Sequence, residues 1–135
     1  MVVNIGDSRT YRAGADGLRQ LTVDHSVVRH LIDAGAIVPS AATAHRHRNL
    51  LTRALLAETE HQVDVSLLPM RAGDRILVCS DGLTADVDDE RIARVMLTIP
   101  DPRQAADALV RTAVDAGARD DVTVLVIDAG VVERT

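Results

Sequence analysis

The chain has 135 residues, 47% of them hydrophobic and 26% charged, a size and balance that describe one folded domain and not a disordered segment. A formal net charge of −5 and a single aromatic residue, Tyr11, argue against a nucleic-acid partner, which needs basic surface and stacking platforms. All fifteen basic residues are arginine, so neither a P-loop lysine nor a Schiff-base lysine can come from this chain.

In chain order, Met1 to Ile5 is a short apolar strand turned by Gly6 to Ser8. Arg9 to Arg12 returns as a second strand, and the Gly/Asp turn Ala13 to Gly17 leads into a third at Leu18 to Leu21, which predicts a β-meander. Asp24 or Ser26 can cap a helix carrying Val27, Val28, Leu31 and Ile32, with Gly35 as its stop. A weaker helical piece starts at Pro39 and Ser40 and runs through Ala44. His45 to Leu56 has no period and reads as loop plus a short strand.

Gln62 to Leu67 alternates, which places Val63, Val65 and Leu67 on one face of a half-buried strand. After the turn Arg71 to Asp74, the run from Arg75 to Ser80 is a central strand. Asp88 or Asp89 caps a helix to about Leu97. The next helix has Pro102 in its first turn and Ala105, Ala106, Leu109, Val110 and Ala113 at helical spacing, and Gly117 ends it. Val122 to Asp128 is continuous enough to predict a strand buried on both faces.

No apolar run approaches the roughly 20 residues of a membrane span, and the N-terminus lacks the charged-then-apolar pattern of a signal peptide. Cys79 is the only cysteine; its apolar neighbours make it a packing residue, and the expected compartment is reducing, hence cytoplasmic.

Three strands have an aspartate just beyond one end: Asp7 follows the first, Asp81 follows the central strand, and Asp120 and Asp121 precede the last. If the central and last strands are parallel, as in a doubly wound α/β domain, Asp81 and Asp120 lie at opposite ends of the sheet. If they are antiparallel, the carboxylates converge on one edge. Convergence without a counter-charge is costly, and oxygen-only ligands suit Mg²⁺ or Mn²⁺ better than Zn²⁺. Each aspartate taken singly has the plainer role of turn or cap residue, the role expected of Asp88 and Asp89.

The strings "NIGDSRTY" (4–11), "LTVDHS" (21–26), "HRHRNLLTRAL" (45–55), "GDRILVCSDGL" (73–83) and "GARDDVTVLVID" (117–128) occur in that order. Together they resemble the C-terminal part of metal-dependent Ser/Thr protein phosphatases of the protein phosphatase 2C (PPM) family. The resemblance implies an α+β fold, a partial four-layer α-β-β-α sandwich with mainly antiparallel sheets, which selects convergence. It implies that Asp81 and Asp120 are catalytic through a binuclear Mn²⁺ or Mg²⁺ centre, that Asp7 serves a third ion, and that residues 24–53 form a flap beside the site. His45 and His47, in that flap, are expected to be structural or solvated. The implied partners are a phosphoprotein substrate and a cognate Ser/Thr kinase system. The implied chemistry is two-metal hydrolysis of phosphoserine and phosphothreonine, with water attacking phosphorus in line and no phosphoenzyme.

The sequence departs from the family pattern in three ways. The family's N-terminal "DGMGG"-type motif and phosphate-binding arginine motif do not occur, and Met1 falls inside a core strand. The expectation is therefore a single domain truncated at its N-terminus and inactive alone, or else a degenerate, non-catalytic binding module. Asp120-Asp121 stands where the family has Asp-Asn, and Leu56 follows "TRAL" where the family has Gly.

Overall fold

The structure is a computed structural model that describes residues 1–56 and 62–130. Its elements in order are β1 (Val2–Asn4), β2 (Arg9–Gly14), β3 (Gly17–Gln20), α1 (Val27–Asp33), a 3₁₀ turn (Pro39–Ala41), β4 (Asp64–Ser66), β5 (Arg75–Cys79), α2 (Asp81–Thr84), α3 (Asp89–Thr98), α4 (Pro102–Asp115) and β6 (Val124–Asp128). They form an α+β fold with two antiparallel sheets. One sheet has four strands in the order β3-β2-β5-β6; the other pairs β1 with β4. No helix among the described residues is long and apolar enough to cross a membrane.

Register explains which side of the large sheet is core. Tyr11 pairs with Leu77, Leu77 with Val126, and Cys79 with Val124, so these side chains share a face. Against that face α3 and α4 lay Ile92, Met96, Leu109 and Ala113, giving a core that also takes in Leu83 and Val87. Both helices begin as their sequences predict. Asp88 accepts the Arg91 amide at 2.8 Å, and Asp101 accepts the Gln104 amide at 2.8 Å just before Pro102. For α1 the cap is Ser26, which accepts from the Arg29 amide at 3.2 Å.

Asp89 does not cap. It accepts the hydroxyl of the buried Tyr11 at 2.9 Å, tying α3 to β2 across the core. Burial, ahead of the neighbouring charges, lifts the Tyr11 hydroxyl above its ordinary range, so the tyrosine stays a donor.

Three expectations are corrected. β1 does not continue into the β2–β3 hairpin as a meander; it joins β4, with Val3 opposite Val65. The change of direction falls at Gly6, whose φ of 101° is open to glycine and closed to most residues. Next, β6 is not buried on both faces. It is the edge strand of its sheet, with Leu125 54% and Ile127 46% exposed beside the exposed Val78. The reason is that the helices cover only the Leu77 face. Lastly, Val63, Val65 and Leu67 do share a face, but among the described residues nothing buries it.

The central strand matches expectation, with one addition. Arg75 is itself buried, donating to both oxygens of Asp128 and to the carbonyls of Met96, Ile99 and Pro100 at and just past the C-terminal end of α3. A guanidinium suits this place because its planar fork meets a carboxylate and several carbonyls at once.

Candidate active site

β5 and β6 are antiparallel, with Cys79 opposite Val124. The end of β5 therefore lies beside the start of β6, and the loops bearing Asp81 and Asp120 meet on one edge of the sheet. Ser80 laces them together. Its amide donates to the Thr123 carbonyl at 3.0 Å, its hydroxyl donates to the Asp121 carbonyl at 3.1 Å, and its Oγ accepts from the Thr123 amide at 3.0 Å. Gly82 is buried in the contact, and a Cβ built on it would fall 2.4 Å from the Asp121 carbonyl oxygen. Only glycine lets the two loops approach this closely.

Asp81 opens α2, a short helix that the sequence reading placed in no element, and its side chain lies in a cavity of about 150 Å³. Asp7 lines the same cavity from the β1–β2 turn. Thr43, Arg48 and Asn49, from the segment between α1 and β4, also line it. The Asp7 carboxyl is held above its ordinary range, first by burial and then by the negative charge of Asp81. Asp120 does not line this cavity. Its Oδ1 accepts the amide of Asp121 at 2.8 Å, and both residues are exposed.

Two carboxylates facing one cavity, one of them half-buried and weighed on by the other, fit a divalent cation bound through oxygen. The fit is partial. Among the described residues no three His, Cys, Asp or Glu side chains stand together as a ligand set.

Around the cavity lie residues to which the sequence alone assigns no role. Arg9 grips Asp24 through Nε at 2.9 and 3.1 Å and Nη2 at 2.6 Å, joining β2 to the segment that leads into α1. His25, next to Asp24, is 1% exposed. Both lay in strings already singled out, "GDSR" and "LTVDHS"; what was missing was the fold that brings the strings together. His45 and His47 contact each other, ring edge to ring face at 5.5 Å between centroids. Cys79 is buried, and desolvation pushes its thiol up to about 11, which agrees with a packing role.

The family model described as Stage II sporulation protein E (SpoIIE) matches residues 25–130. The serine/threonine phosphatase stp of Listeria innocua is 34% identical over 134 residues, which are 99% of this chain and 53% of that protein. The crystal structure of the Mycobacterium tuberculosis serine/threonine phosphatase PstP/Ppp superposes with a TM-score of 0.89 at 41% identity, over 95% of this chain and 54% of that one. The chain belongs to the PPM family of Ser/Thr phosphatases. A further PPM structure, the catalytic domain of PstP in complex with two manganese ions, matches at a TM-score of 0.81 and 41% identity. The chain thus spans about half of the Listeria protein and about a quarter of the full-length Mycobacterium tuberculosis PstP, and its fold corresponds to about half of the PstP catalytic domain.

Proposed function

We propose that this chain is the C-terminal part of a metal-dependent phosphoserine/phosphothreonine phosphatase. Asp81 and Asp120 would hold the binuclear Mn²⁺ or Mg²⁺ centre, and Asp7 a third, looser ion. The observation that carries the reading is the cavity under the flap, where Asp7 and Asp81 face each other at the edge on which β5 ends and β6 begins. When bound, the ions supply Lewis-acid activation of water and charge compensation at the phosphoryl group. The chain's own residues do the rest. Ser80 and Gly82 keep the Asp81 and Asp120 loops together, and Arg9 holds the flap through Asp24. The manganese ions in the PstP complex support the choice of cation class. The substrate is a phosphoprotein, the product of a Ser/Thr kinase.

The second reading, a degenerate binding module, is favoured by one observation: Asp120 spends an oxygen on its own loop and stays out of the cavity. Hydrolysis of p-nitrophenyl phosphate with and without Mn²⁺, by this chain and by a version extended upstream, separates the two. The expected result is negligible turnover by this chain, which contributes only part of a ligand shell and lacks the phosphate-binding arginine motif, and Mn²⁺-dependent turnover by the extended one. Inactivity of both with every aspartate intact would establish the degenerate module. Full turnover by this chain alone would show that no further residues are required.

A further inference from the structure

His25 is bonded at both ring nitrogens and at its backbone amide and carbonyl, yet it does not line the cavity. The Gly6 amide donates to its Nδ1 at 3.1 Å, and its own amide donates to the Gly6 carbonyl at 2.9 Å. Its carbonyl accepts from the Thr52 amide at 2.8 Å. Its Nε2 lies 3.0 Å from Asp64 Oδ2 on β4, and Arg53 Nη1 donates to the other oxygen of that carboxylate at 2.9 Å. Because Nδ1 accepts an N–H, the ring carries its proton on Nε2 and donates it to Asp64.

Each of these contacts ends on a part of the pocket wall. Gly6 precedes Asp7 and sits at positive φ, where glycine has wide freedom; the reciprocal pair with His25 removes that freedom. Residues 25–27 and 50–52 are the two roots of the flap, joined by the Ser26–Leu51 bridge, by the Val27 amide on the Leu50 carbonyl at 2.9 Å, and by His25 with Thr52. Asp64, opposite Asn4 in the small sheet, fixes the ring from behind. The Asp7 turn and the flap therefore do not touch His25 by separate accidents of packing. One imidazole, in one tautomer, is the common support of both.

We infer that His25 is a positioning residue that sets the Asp7 turn and the flap in mutual register, with Asp64 and Arg53 holding its tautomer. Its bearing on catalysis rests on the phosphatase reading above, but the inference concerns geometry that exists without any ion.

The experiment is NMR of the ¹⁵N-labelled chain. In the unsubstituted protein at neutral pH, long-range ring correlations should show the Nε2-protonated tautomer; a ring protonated on Nδ1 overturns the inference without any variant. Next come two substitutions that each keep half of the imidazole. His25→Asn retains an acceptor where Nδ1 stood, and His25→Gln retains a donor where Nε2 stood. In His25→Gln the Gly6 amide should exchange about tenfold faster, the effect of losing a hydrogen bond of ordinary net strength, and the amides of Thr43, Arg48 and Asn49 should shift. In His25→Asn both effects should largely revert. Equal behaviour of the two variants would reduce His25 to a space-filling residue, and an unchanged Gly6 amide in His25→Gln would overturn the support of the turn. A separate Mg²⁺ titration of the unsubstituted chain, read at the Asp7 and Asp81 amides, tests the metal reading. Silence there removes the ion and leaves the Gly6 result standing.

Discussion

Replacing Gly82 with alanine tests the construction of the candidate site at its tightest point. The added Cβ would stand 2.4 Å from the Asp121 carbonyl oxygen and 2.9 Å from its carbonyl carbon, both backbone atoms that cannot swing aside. Even close C–H···O contacts keep about 3.3 Å, so the loops must part by about 0.9 Å. Overpacking of this kind typically costs about 1–3 kcal/mol, or a fall in melting temperature of roughly 3–9 °C for a domain of this size. The Ser80 bonds to Asp121 and Thr123 cross the same gap and should loosen with it. The functional effect is larger. A displacement near 1 Å between the Asp81 and Asp120 loops should lower turnover by about 10²-fold in the upstream-extended protein. Urea unfolding and Mn²⁺-dependent phosphatase assays give the two numbers. A variant with unchanged midpoint and unchanged turnover would show that the loop contact is neither tight nor required.

Arg75→Met should destabilise the chain by about 3 kcal/mol in urea unfolding, since it strips a buried cation from the α3 carbonyls, whereas Asp128→Asn should cost under about 1 kcal/mol because that carboxylate is largely exposed. The His25 hydrogen bond, helped by Arg53, holds the Asp64 carboxyl below the usual 3.8. The stability it contributes is thus present above that value and lost as pH falls through the lowered one; an acid series of urea midpoints should drop more steeply below about pH 4 in the native chain than in Asp64→Asn. The apolar face formed by Val78, Leu125 and Ile127 should bind a hydrophobic dye and drive association of the isolated chain, and Leu125→Thr with Ile127→Thr should reduce both in dye fluorescence and sedimentation. In the extended protein Asp120→Asn should abolish turnover while Asp121→Asn shifts Mn²⁺ affinity modestly; equal effects in a metal titration would mean the ligand is the other residue.

Helix caps, turn glycines and the central strand were readable because each is decided within a few residues. Asp88, Ser26, Pro102 and Gly117 do locally what their chemistry favours. The partner of β1 was not readable, because Asn4 and Asp64 lie far apart along the chain and no periodicity reports pairing. The burial of Val122 to Asp128 was overestimated for a related reason: an apolar run shows what a strand could bury, not how many layers arrive to cover it. At the site, the aspartates stood out as residue types at strand ends. Their supports did not, since Ser80, Gly82 and His25 act through backbone contacts that only the folded chain assembles.

The two ends of the β5–β6 pair carry opposite electrostatic characters. At one end Arg75 meets Asp128 and three carbonyls at the end of α3, a neutralised knot. At the other, Asp7 and Asp81 crowd negative charge with no basic side chain bound to either among the described residues. Mutational tolerance should follow this polarity. Changes at the carboxylate end can relieve repulsion, so losing function there tends to raise stability. Changes at the arginine end lower stability and leave the chemistry untouched. Variants chosen for stability alone should therefore lose Asp7 or Asp81 before they lose Arg75.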